Sequence, residues 1–162
     1  MKAIFPGTFD PFTTGHLSIL NRAMLLFDKV YVALGTNSEK KSMFSLQQRI
    51  VWIKELFAYS SKIEVITYDT LTVSVAKQYG AHYLIRGLRT AVDFEYERQI
   101  GLINKTLEPQ IETIYLLTLP EHTHISSSMV REVIKYRGNI ENLVPEIIAN
   151  EIQKIMNYEL KN

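Results

Sequence analysis

Phe5-Pro6-Gly7-Thr8-Phe9-Asp10-Pro11-Phe12-Thr13-Thr14-Gly15-His16 is the stretch on which the reading of this chain turns. A short apolar run, Lys2 to Phe5, stops at Pro6-Gly7, and a helical pattern begins at Thr13 or Thr14 with His16 in its first turn. The sequence therefore predicts a strand, a tight loop and a helix N-terminus. Such a junction binds anions, because the first N–H groups of a helix have no internal partner and the positive end of its dipole meets the ligand. His16 adds a side-chain donor at the same place. Gly7, Phe9, Asp10, Gly15 and His16 at these spacings arise by chance on the order of 10⁻⁷ per starting position, at about 5% usage for each residue type. Singly, Asp10-Pro11 and Gly15 are ordinary turn residues. Only the whole string points to a site.

Downstream, Leu17, Leu20, Ala23, Met24 and Phe27 follow at helical spacing, then a short apolar strand, Val30 to Leu34. Gly35 to Phe44 reads as a polar loop, and Ser45 with Gln48 forms a capping box for a helix carrying Ile50, Ile53, Leu56 and Phe57. Strands are expected at Lys62 to Thr67, at His82 to Ile85, ended by Arg86-Gly87-Leu88-Arg89, and at Ile111 to Leu117. Helices are expected at Val73 to Tyr79, Ala91 to Leu107, Ser126 to Tyr136, and after Pro145 up to Tyr158. Met129, Met156 and the helically spaced aromatics read as core. Alternating strands and helices call for an α/β architecture, a doubly wound parallel sheet of five strands with helices on both faces and further helices at the C-terminal end. Ligands of such sheets sit beyond the carboxyl ends of the strands. The polar clusters Thr8 to His16, Ser38 to Lys41, Arg86 to Arg89 and His122 to Ser128 should converge there.

With 162 residues, 46% of them hydrophobic, residues 1–162 read as one domain with one sizeable core. Eighteen Lys and Arg against 17 Asp and Glu leave a net charge of +1, which argues against the broad basic surface of a nucleic-acid binder. The chain has no cysteine, which removes disulfides, thiolate metal sites and a cysteine nucleophile. It shows neither a signal-peptide pattern nor an apolar run long enough to span a bilayer, so a cytoplasmic protein with no membrane partner is expected.

The rim chemistry is that of phosphate groups. Arg86 and Arg89 suit bidentate phosphate binding, with Gly87 read as the turn that brings both guanidiniums to one edge. Asp93, Glu95 and Glu97 lie just downstream, so pairing with these arginines is the structural alternative. Ser126-Ser127-Ser128 opens a helix, where serines cap and free N–H groups suit a triphosphate. Lys40 and Lys41 supply flexible cations. No nucleophile stands beside a base, and no carboxylate pair has the placement of acid–base hydrolysis. A histidine, a lysine, arginines and helix N-termini fit phosphoryl or nucleotidyl transfer, in which the substrate brings its own nucleophile.

At these residues the chain resembles a family. Gly7 to His16 is similar to the T/H-x-G-H motif of the nucleotidyltransferase superfamily, and its G-T-F-D-P form to bacterial phosphopantetheine adenylyltransferases. Met43 to Arg49, Leu84 to Glu97 and Ile125 to Arg131 match further motifs of that family in order and spacing, so the resemblance covers nearly the whole chain. It implies a Rossmann-like fold and transfer of the adenylyl group of ATP to 4'-phosphopantetheine, with Mg²⁺ accompanying the ATP. By resemblance His16 would stabilise the transition state at the α-phosphate, while Thr8 and Lys40 hold the attacking phosphate. Arg86 and Thr72 would bind phosphopantetheine. Phe9, Gly87, Leu88, Arg89, Glu97, His122, Thr123, His124, Ile125, Ser126, Ser127 and Ser128 would join Thr8 and His16 in binding ATP. A homohexamer and feedback inhibition by coenzyme A are implied in the same way. The chain departs from the family pattern at His122-Thr123-His124, where aromatic, serine and aromatic are usual, and at Thr70-Leu71-Thr72. Other readings are a mononucleotide adenylyltransferase, a cytidylyltransferase, and a non-catalytic ATP-binding domain.

Overall fold

The computed structural model describes residues 1–36 and 42–159. Strands β1 (Lys2–Gly7), β2 (Lys29–Gly35), β3 (Ile63–Tyr68), β4 (Tyr83–Leu88) and β5 (Glu112–Leu117) form one parallel sheet in the order β3-β2-β1-β4-β5. Helices α1 (Thr14–Leu26), α2 (Leu46–Leu56), α3 (Thr72–Gln78), α4 (Ala91–Leu107), α5 (Ser127–Lys135) and α6 (Glu146–Glu159) cover it. A short 3₁₀ turn, Pro120–His122, was not foreseen from the sequence.

Alternate residues of the central strands feed two cores, as a pleated sheet covered on both faces requires. Ala3, Phe5, Val30, Val32 and Leu34 pack toward α1, α2, α5 and α6. Ile4, Tyr31 and Ala33 pack toward α3, with α4 beside it over β4 and β5. Burying a side chain such as Leu34 or Ile4 fully contributes about 1.5–3 kcal/mol. The covered strands are therefore the main source of stability. Helix starts are specified locally: Ser45 Oγ accepts from Gln48 N while Gln48 Oε1 accepts from Ser45 N, the capping box the sequence predicts. Among the described residues no helix is long and apolar enough to cross a membrane.

Two expectations are corrected. Arg86, Gly87 and Leu88 do not end the strand but lie within β4, paired with Tyr115, Leu116 and Leu117. Gly87 makes no turn. A Cβ there would stand 3.2 Å from Ile19 Cγ1, so its missing side chain lets α1 pack close over β4. Met129 is 58% exposed rather than core, because Val130 and Ile134 are the inward residues of α5 and Met129 precedes them by one position. Met156 does pack against the core.

The sheet carries a seam. β1 pairs with β2 from Lys2 to Gly7, but with β4 only at Ala3↔Tyr83 and Ile4↔Leu84. Pro6 has no N–H to continue the ladder. Its carbonyl accepts instead from Arg86 Nη1 at 3.0 Å. Strand order reverses at this junction, which opens where a ligand of a doubly wound sheet binds.

Candidate active site

A cavity of about 810 Å³ occupies the open end of the seam, near the upper end of the range for small-molecule sites. Its floor is the first loop and the start of α1. Thr13 caps the helix: its Oγ1 accepts from His16 N at 3.3 Å, and Thr13 N donates to His16 Nδ1 at 3.0 Å. His16 thus fills the position that Glu or Gln holds in a common capping box. The bond also fixes the tautomer. A backbone N–H can only donate, so Nδ1 is the acceptor and the neutral ring carries its proton on Nε2.

The imidazole is surrounded by Phe5, Phe9 and Phe12, with ring centroids 6.3, 5.1 and 5.3 Å away. Burial, then the charges of Arg89 and Arg86, push its pKa down from 6.5 to about 4. Between these values the unfolded chain takes up a proton that the folded state refuses. Stability from this group is therefore complete above pH 6.5 and is lost as pH falls through that window toward 4. An NMR titration of the ligand-free protein should find the His16 ring, assigned by its absence from His16→Gln, neutral at pH 6 with a midpoint near 4. A midpoint at the unperturbed 6.5 would contradict the cage.

Phe9 adopts a left-handed backbone, φ 47°, uncommon for a residue with a Cβ. Its ring fills the space above Gly7, where a Cβ would meet Phe9 Cζ at 2.7 Å. Asp10 is buried, and its oxygens accept from Met43 N at 2.8 Å and Phe44 N at 2.9 Å. Buried Arg49 donates to Thr8 O at 2.5 Å and Phe44 O at 3.1 Å. Together they tie the first loop to the start of α2.

The wall across the seam is β4 and α4. Arg86 is paired with Glu97 and Arg89 with Asp93, so the alternative of arginine–carboxylate pairing is what the structure shows. The third wall is the start of α5, where all three serine hydroxyls are engaged. Ser126 Oγ accepts from Met129 N at 3.2 Å, Ser127 Oγ donates to Pro11 O at 2.9 Å, and Ser128 Oγ accepts from Arg131 Nη2 at 3.0 Å. What this helix start offers a ligand is its backbone N–H groups.

Most of the expected residues do converge: Thr8, Phe9, His16, Thr72, Arg86, Gly87, Arg89, Glu97 and Ile125 to Ser128 all line the cavity. Leu88 is buried and lies off the lining, as do His122, Thr123 and His124. The 3₁₀ turn ending at His122 passes near Gly15, and His122 Nδ1 is buried without a partner among the described residues. Lys40, Lys41 and the cluster from Ser38 fall outside the described residues. Sequence reasoning missed Tyr68 at the end of β3, Asp69 after it, Arg131, and Tyr96, Ile100 and Asn104 on α4. For the last group a signal existed, since Asp93, Glu97, Ile100 and Asn104 recur at helical spacing.

Set beside known proteins, residues 4–133 match the cytidylyltransferase-like family. The phosphopantetheine adenylyltransferase of Nautilia profundicola is 46% identical over 151 residues, covering 93% of this chain and 98% of that protein. The protein of the same name from Flavobacterium johnsoniae is 48% identical over 147 residues, covering 91% and 96%. A solved structure from Vibrio parahaemolyticus, provisionally assigned as a nicotinate-nucleotide adenylyltransferase, superposes with a TM-score of 0.69 at 16% identity, covering 94% of this chain and 97% of that one. That likeness bears on the fold, a Rossmann-like nucleotidyltransferase sheet. Near-complete coverage by these relatives, together with a histidine, two arginines and two helix N-termini on one cavity, leads to one conclusion: the chain belongs to the phosphopantetheine adenylyltransferase family, within the cytidylyltransferase-like nucleotidyltransferases.

Proposed function

We propose that this protein transfers the adenylyl group of ATP to the phosphate of 4'-phosphopantetheine, giving dephospho-coenzyme A and pyrophosphate in coenzyme A synthesis. The observation that carries the reading is the identity of 46% with a phosphopantetheine adenylyltransferase over 93% of the chain. The cavity chemistry agrees with it. An anionic phosphate oxygen of the acceptor attacks the α-phosphorus, and the bond to the β-phosphate bridging oxygen breaks as pyrophosphate leaves. The nucleophile is already ionised, so no general base is required. His16 donates Nε2–H to the α-phosphate as charge builds in the pentacovalent transition state. Thr8 and Lys40 hold the attacking phosphate, Arg86 binds it, and Thr72 meets the pantetheine arm.

ATP is held by Phe9, by Gly87, Leu88 and Arg89, and by the segment from His122, Thr123 and His124 through Ile125, Ser126, Ser127 and Ser128, while Glu97, read by resemblance as a further ATP residue, is engaged by Arg86. The α5 start faces its β- and γ-phosphates. Asp93 and Glu97, the carboxylates beside the arginines, are both paired with them. Mg²⁺, if carried by the ATP, would offset the charge of its phosphates. Coenzyme A contains the acceptor's phosphopantetheine portion and acts as a feedback inhibitor at the same cavity. Helix α4 buries no residue and exposes Val92, Leu102 and Ile103, an apolar surface that supports a homohexamer. A cytoplasmic location completes the reading.

The test is product formation followed by mass spectrometry, with ATP, Mg²⁺ and 4'-phosphopantetheine. Parallel reactions offer nicotinate mononucleotide and, with CTP, glycerol 3-phosphate. Dephospho-coenzyme A formed only with phosphopantetheine is the expected result. Product only with another acceptor overturns the substrate assignment. ATP binding with no product from any acceptor overturns the reaction.

A further inference from the structure

Two arginines on β4 and its end are held in the same way by two carboxylates on α4. Arg86 Nε donates to Glu97 Oε2 at 2.6 Å and its Nη2 to Glu97 Oε1. Arg89 Nε donates to Asp93 Oδ2 at 2.9 Å and its Nη2 to Asp93 Oδ1 at 3.1 Å. In both pairs the carboxylate takes the side-on edge of the guanidinium. A guanidinium has five N–H donors in one plane, so each side-on pair leaves the end-on fork between Nη1 and Nη2 with protons to spare. Arg86 gives one Nη1 proton to Pro6 O at 3.0 Å, which pins the group from a third direction. Asp93 and Glu97 are four residues apart and so share one face of α4, and both line the cavity beside their arginines.

The Glu97 carboxylate is not needed to build its own turn, whereas Asp93 Oδ2 also accepts from Arg89 N at 3.2 Å and so holds the backbone after β4 as well as the guanidinium. The Asp93 amide is satisfied by Thr90 Oγ1 at 3.1 Å, and the turn at Glu97 is anchored by Tyr115 Oη donating to the Glu97 carbonyl at 3.0 Å. Both oxygens of each carboxylate already accept from an arginine, and an ionised carboxylate close to a polyphosphate repels it. What the pairs achieve is orientation. An arginine side chain has large rotamer freedom, and an unheld one must be ordered when the anion arrives, at the expense of affinity.

We propose that Asp93 and Glu97 are positioning residues, each holding its arginine by the side-on edge so that the end-on forks of Arg89 and Arg86 meet the phosphates of ATP and of the acceptor, respectively. Glu97 then acts on the acceptor side through Arg86 rather than as a direct ligand of the nucleotide. The assignment of forks to ligands rests on the adenylyl-transfer reading given above.

Glu97→Gln and Asp93→Asn keep shape and remove charge, and calorimetric titrations with Mg²⁺–ATP and with 4'-phosphopantetheine separate their effects. Glu97→Gln is expected to weaken phosphopantetheine about tenfold and to leave ATP within about twofold, whereas Asp93→Asn does the reverse. In an Arg86→Ala background, Glu97→Gln should have no further effect. Loss of ATP affinity in Glu97→Gln with the acceptor spared overturns the proposal, as does a Glu97→Gln effect that persists without Arg86. A wild-type protein that binds ATP but not phosphopantetheine instead refutes the substrate reading, and the Asp93→Asn and Arg89→Ala pair still decides the positioning role with ATP alone. Should a variant fail to fold, arginine side-chain NMR of the wild-type protein decides. On adding inorganic pyrophosphate, the Arg89 Nη signals should move while its Nε–H stays protected, and exposure of that Nε–H would count against the proposal.

Discussion

His16→Gln is expected to lower kcat by at least ~10²- to 10³-fold, the range for removing one preorganised donor to a developing oxyanion, while leaving the melting temperature within about 2 °C of wild type. The two halves of this result have separate causes. Glutamine completes a capping box as well as any residue, so its side chain accepts from Thr13 N in place of Nδ1 and the start of α1 survives. Its amide does not reproduce the Nε2–H of a ring held among three phenylalanines. His16→Ala removes both functions and should cost about 1 kcal/mol of stability besides the activity. If His16→Gln retained more than about a tenth of the activity, the transition-state role would be withdrawn.

Arg49→Ala should destabilise the fold by about 3 kcal/mol, measured by urea or thermal unfolding, and lower activity through the first loop. Three costs coincide at this position. The carbonyls of Thr8 and Phe44 lose their donor in a place where water does not replace it easily. The buried Asp10 carboxylate, whose charge opposes the lowering of the Arg49 pKa by burial, also loses a neighbouring positive charge. Arg49→Lys keeps the charge but not the planar fork that reaches two carbonyls at once, so it should recover only part of the loss. An Arg49→Ala protein as stable as wild type would falsify the clamp between the first loop and α2.

The strand–loop–helix at the N-terminus was legible because each signal there is local: an apolar run, Pro6-Gly7, a capping threonine and a histidine in the first turn. The bounds of α4, Ala91–Leu107, were legible for the same reason, helical spacing between clear breaks. The end of β4 was not. Arg86-Gly87-Leu88 looks like a turn in isolation, and only pairing with Tyr115, Leu116 and Leu117, some 30 residues onward, makes it strand. Gly87 was read for backbone freedom, yet what its position needs is the absence of a Cβ against Ile19, a contact between distant elements. The serines were read correctly as a helix start, but not as three hydroxyls already committed to Met129, Pro11 and Arg131. Pairing of the arginines with acids was one of two readings the sequence left open. Side-chain geometry decides it.

The seam at Pro6 also divides the cavity-lining side chains between two parts of the sheet. Thr8 and His16 belong with β1 and the β2 and β3 strands beyond it, whereas Arg86 and Arg89 belong with β4 and β5. Across the sheet these parts are joined by a short ladder at the amino ends of the strands and by one guanidinium reaching to the Pro6 carbonyl. Toward the open end the two sides are held by helix packing instead of backbone pairing, with α1 lying close over β4 at Gly87. A ligand that bridges His16 and the arginines would therefore join the two halves of the sheet where the backbone ladder does not.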